Sequence, residues 1–248
     1  MISGFGATVL AEKQEDGSLK RVFPPDTKEI LKLLGVNAPD LITGIIKLIA
    51  QKGTDGIEKP MREIITSIVE PLRMNDDGTS FYDIVPILSS AKDTNLEAFT
   101  KNGQLDLVPY TGSEFLDMEV IGDEIGDGHV FNFLYDWRLS HADVAAQLHD
   151  YLAEVCALTG HDKVSVYSIS QGCLLLGVYM YEYPDDNYID RAVFDTPLLA
   201  GSNLVSDLYT DKPISLNFDT TLDILRSILH TEADFSFVMD IIPADGAN

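Results

Sequence analysis

Two periods of hydrophobic and polar residues divide the second half of the chain. HVFNFLYDWR, residues 129–138, is apolar and aromatic with few interruptions and predicts a strand. KVSVYSIS (163–170) and YIDRAVFDTP (188–197) predict two more. Between the first two, Val144, Leu148, Leu152 and Val155 recur at helical spacing. Ser140 with Asp143 predicts a capped start to that helix, and Gly160 its close. GCLLLGVYMYEY predicts a second helix, stopped before Pro184. Strand, helix, strand, helix, strand implies a parallel sheet with right-handed crossovers.

The first half is patterned less regularly. Residues 1–10 read as the end of a strand running into a glycine-rich loop, and the polar, Pro-Pro-containing stretch 11–27 as a loop. Helices are predicted near 28–35 and 40–52, and near 60–70 from Pro60 as a first-turn residue. In LITGIIKLIA the apolar residues nearly encircle the helix. That suits either a core helix or a cap over a lipid pocket. Residues 74–128 read as loop-rich, with one helix near 112–121. Asp76-Asp77-Gly78 and Asp185-Asp186-Asn187 read as turns, because the alternate-position ligands of a calcium loop are absent.

Charge narrows the choice of partners. The 248 residues carry a formal net charge of −23, with Lys and Arg too scattered to track phosphates. Nucleic acid and anionic membranes are therefore excluded as expected partners, while peripheral contact with neutral lipid stays open. Cys156 and Cys173 lie in no CxxC pair and read as buried thiols. There is no phosphate loop, dinucleotide fingerprint or zinc spacing, so no cofactor or metal is expected. No signal-peptide pattern appears, nor any apolar run approaching about 18 residues.

The chemistry concentrates at Ser168-Ile169-Ser170-Gln171-Gly172. A serine between a strand and a helix, with small residues two positions to either side, fits a nucleophile elbow with Ser170 as nucleophile. In such a turn the N–H of the next residue, Gln171, stabilises an oxyanion at a helix N-terminus. The second donor is expected from Gly4-Phe5-Gly6, at Phe5 or Gly6, with Tyr110-Thr111-Gly112 as the alternative. The expected chain order is Ser, acid, His. His230 is the only histidine after Ser170, and Asp219 and Asp223 precede it, so His230 and Asp219 are base and acid by order alone. The competing reading makes His230 a polar residue of a lid-like helix. His129, His141, His149 and His161 read as solvated. Asp136 and Arg138 read as a structural pair tying down a strand end, with Trp137 packed near an acyl pocket.

FLYDWR, then the serine elbow, then FDTPLLAGS resembles the lecithin:cholesterol acyltransferase-like family of lipases and acyltransferases. ISGFGATVL with RVFPP near the start, and LRSILHTEADFSFVMDIIP near the end, are similar to further family segments in the same order. Ile169 stands where the family has His, and Ser3 where it has Pro. The resemblance implies one α/β-hydrolase-like domain over 1–248, a mostly parallel sheet with helices on both faces. Cap or lid insertions fall within 28–128. It also implies that the family's acid and histidine lie beyond the last matched segment, so the domain is expected to be incomplete at its C-terminus. The implied activity is cleavage or transfer of a lipid acyl ester through an acyl-enzyme on Ser170. The alternative is a catalytically inactive fragment or pseudoenzyme that binds lipid or a partner chain. A secreted or cell-envelope location is likewise implied by the family alone.

Overall fold

The computed structural model describes residues 1–25, 32, 66–67, 69–109 and 118–201. The helices expected near 28–35 and 40–52, most of that near 60–70, the Tyr110–Gly112 loop, Asp219, Asp223 and His230 lie outside the described residues.

The parallel core follows the sequence pattern. β4 (Val164–Ile169) and β5 (Ile189–Asp195) pair in parallel, in register from Ser165↔Arg191 to Ile169↔Asp195. Between them runs α4 (Gln171–Glu182), the expected crossover. β4 is continued sideways by single rungs: Ile2 bridges in parallel to both Ser168 and Phe133, and Phe131 bridges antiparallel to Asn95. Residues 129–138 therefore contribute two sheet positions and a turn rather than the expected full strand. α3 (His141–Thr159) buries the predicted stripe Val144, Leu148, Leu152 and Val155, and adds Ala145 and Tyr151. Gly160 ends it at φ 72°, a left-handed turn that costs glycine nothing. Ser140 occupies the N-cap, but its side chain makes no capping hydrogen bond; only its carbonyl accepts, from Val144 N–H at 3.1 Å.

The expected loop 11–27 is instead a hairpin. β1 (Leu10–Lys13) and β2 (Leu19–Phe23) pair antiparallel, and β3 (Ile84–Pro86) pairs with the other side of β1. The turn is closed by Gln14 N–H to Ser18 O at 2.8 Å and by Asp16 accepting from Ser18 N–H, with Gly17 at φ 83°. The polar composition of the hairpin hid it, since only Leu10, Ala11, Val22 and Phe23 are buried. Residues 74–128 also hold more structure than expected. α1 (Leu96–Asn102) starts at Asn95, whose side chain accepts from Ala98 N–H at 2.8 Å, and stops at Gly103, φ 66°. α2 (Met118–Ile125) covers the end of the helix expected near 112–121, whose earlier residues lie outside the described ones. Asp77 closes its turn by accepting from Thr79 N–H at 3.0 Å, as read from sequence.

Both sheets share one core. Ile2, Leu10, Val22, Phe133, Tyr135, Leu148, Leu175 and Leu176 belong to a single buried cluster, which fixes the hairpin against the parallel strands. Among the described residues no helix is long and apolar enough to cross a membrane.

Candidate functional site

Ser170 sits where β4 gives way to α4, at φ 54°, ψ −120°. An L-residue rarely adopts a positive φ, and such strain persists only where surrounding structure holds it. Three contacts hold it here. Ser170 N–H donates to Asp195 O at 3.0 Å, and its carbonyl accepts from Cys173 N–H at 3.1 Å. A Cβ on Gly172 would lie 2.5 Å from Ile2 O and 2.6 Å from Ser3 O, so the first turn of α4 presses directly on residues 2–3. A Cβ on Gly4 would lie 3.0 Å from Ser170 Cβ and 3.4 Å from its Oγ. Glycines at 4 and 172 thus let two backbone segments close around the serine.

Ser168, where a glycine is common in this type of turn, is fully buried. Its hydroxyl donates to Val193 O at 2.9 Å and lies 3.4 Å from Cys173 Sγ. The extra oxygen is thereby satisfied by strand β5, which is why serine fits. Burial pushes the Cys173 thiol above its ordinary pKa, and both cysteines are free.

The loop Gly4–Gly6 crosses beside Ser170, with Gly6 at φ 73° and Ala7 N–H returning to Gly4 O at 3.4 Å. Phe5 is 60% exposed and meets Trp137 edge-on, ring centroids 4.3 Å apart; Phe23 packs on the same indole at 5.2 Å. The Gln171 side chain donates to Trp137 O at 2.9 Å. Phe5 and Gln171 thus both meet Trp137, while Gly4, beside Phe5, lies against Ser170. Among the described residues, no backbone group accepts from the N–H of Phe5, Gly6 or Gln171. Those donors remain available to a ligand oxygen.

Asp136 and Arg138 form the expected pair beneath this surface. Nε donates to Oδ1 at 2.9 Å and Nη2 to Oδ2 at 2.6 Å, with side chains 3% and 4% exposed. A third guanidinium bond, also from Nη2, reaches Ser80 Oγ at 2.9 Å. Tyr135 donates to Ser3 O at 2.8 Å and anchors the loop from below; burial drives its pKa up.

Sequence reasoning missed three features. Thr196, immediately after β5, also has a positive φ, 45°, and follows the residue that binds Ser170 N–H. Nothing in Asp195-Thr196-Pro197 signals that strain, because it depends on the neighbouring elbow. His149 is not simply solvated: Nδ1 lies 2.6 Å from Asp186 Oδ2 and the ring stacks on Tyr183 at 4.6 Å. His141 likewise buries Nε2 without a partner among the described residues, and burial lowers its pKa. His129 and His161 are exposed, as expected.

Compared with protein-family models, curated proteins and solved structures, the chain matches none. Among the described residues no group of three or more His, Cys, Asp or Glu is placed to hold a metal ion.

Proposed function

We propose that this chain is a serine acyl hydrolase or acyltransferase of α/β-hydrolase type, with Ser170 as nucleophile. The observation that carries the reading is the strained Ser170 backbone, φ 54° and ψ −120°, between a parallel strand and a helix N-terminus. That bend lifts a hydroxyl off the carboxyl edge of a sheet and aims the first N–H of a helix at the same point. The Gln171 N–H and a donor from Phe5 or Gly6 stabilise the oxyanion that forms when Ser170 Oγ adds to an ester carbonyl. Collapse of that adduct expels the alcohol and leaves an acyl-enzyme, which water or a second alcohol then discharges. Phe5 and Trp137 supply an aromatic wall suited to the acyl chain of a lipid ester. Proton transfer from Ser170 needs a base; by chain order that role falls to His230, with Asp219 as acid.

The test is covalent labelling. Wild-type protein treated with a fluorophosphonate is expected to gain one adduct by intact mass, and Ser170→Ala is expected to gain none. Labelling that is absent in the wild type, or that survives Ser170→Ala, overturns the assignment.

A further inference from the structure

Among the described residues, two that are not glycine hold a positive φ, and they stand side by side. One is Ser170. The other is Thr196, at φ 45°, and that conformation is doubly disfavoured there. Its side chain is β-branched, and a following proline drives a residue toward φ of about −120°. Glycine would take the same turn at no cost. The strain is coupled to the elbow: Asp195 O, in the peptide unit that joins Asp195 to Thr196, accepts from Ser170 N–H at 3.0 Å. Strained residues of this kind cluster at active sites and ligand clamps. Thr196 is exposed, and its hydroxyl has no hydrogen bond among the described residues.

Sheet order says which part of a substrate Thr196 would meet. β4 lies between Ile2 and β5: Ile169 N–H donates to Ile2 O at 3.1 Å, whereas Ser170 N–H donates across to the end of β5. The chain leaving Ile2 becomes the Gly4–Gly6 loop, where Phe5 meets Trp137 at 4.3 Å. The chain leaving β5 becomes Thr196. The register Ile169↔Asp195, carried one residue further, sets Thr196 opposite Ser170, about one strand spacing of 4.8 Å away. The nucleophile therefore has an aromatic flank on one side and a threonine on the other. Both stand at the carboxyl edge, where open α/β sheets bind ligands.

We propose that Thr196 is a specificity-determining residue that binds the alcohol part of the ester, an inference that rests on Ser170 being the nucleophile. With the acyl chain along Phe5 and Trp137, the alcohol extends over the end of β5. There the Thr196 hydroxyl hydrogen-bonds a hydroxyl of that alcohol. The class that fits is a neutral polyol monoester. A phosphate-bearing alcohol is repelled by a chain of net charge −23. An alcohol that discharges the acyl-enzyme occupies the place of the one expelled, so the same hydroxyl selects the acceptor.

The test compares 1-monooctanoylglycerol with ethyl octanoate on the full chain. Wild type is expected to favour the glyceryl ester about tenfold in kcat/KM, the worth of one hydrogen bond. Thr196→Val keeps the shape and removes the hydroxyl, and is expected to abolish that preference through KM. Thr196→Ser is expected to keep it. Thr196→Gly takes the turn without strain; it is expected to lose the preference while the melting temperature does not fall. A threonine of purely structural value would instead leave the preference intact in the glycine variant. Survival of the preference in Thr196→Val or Thr196→Gly, or its loss in Thr196→Ser, overturns this inference and leaves Ser170 in place. So does a wild type that gains the fluorophosphonate adduct yet cleaves neither ester, or both equally. A wild type that neither gains the adduct nor cleaves an ester overturns the proposed activity and this inference together.

Discussion

At the scale of single residues, the site rests on atoms that are missing. Gly172 has no room for a Cβ, because two backbone carbonyls lie within 2.6 Å of where it would stand. Carbonyls of a sheet rung cannot swing aside as a flexible side chain can. Gly172→Ala is therefore expected to destabilise the fold by about 1–3 kcal/mol, measured by urea unfolding. An unchanged midpoint would mean that the helix does not press on residues 2–3 as described. Ser168 shows the opposite solution: a larger residue is admitted because β5 offers Val193 O to its hydroxyl.

At the scale of elements, the turn after Phe133 is held by the buried Asp136–Arg138 pair. Arg138→Leu would leave the Asp136 carboxylate buried without its cation, and a loss of about 3–5 kcal/mol is expected in chemical denaturation. Replacing both residues by leucine is expected to recover part of that loss, since no lone charge then remains.

At the scale of the whole molecule, −23 charges repel one another across a small surface. Repulsion opposes compaction, and salt screens it over a Debye length of about 10 Å at 0.1 M. Raising sodium chloride from about 0.02 to about 0.3 M is expected to raise the melting temperature. A falling value would show that attractive pairs such as Arg138 with Asp136 outweigh the repulsion.

Much of this was legible in the order of residues. β4, α4, β5 and the stripe of α3 follow from hydrophobic period, and Ser170 from its place between them. Those elements were readable because burial imposes one period on a helix and another on a strand. The hairpin of β1 and β2 was not readable, because one face meets solvent and its apolar residues are few. The strain at Thr196, the pairing of His149 with Asp186, and the closure of Gly4 and Gly172 around Ser170 were not readable either. Each joins segments distant in the chain, through contacts that no local pattern encodes. Sequence alone set Ser170 between a strand and a helix with small residues on either side; only tertiary packing decided that its backbone is held at a positive φ, because the Asp195 carbonyl at the end of β5 and Gly4 in its loop reach it from segments distant in the chain.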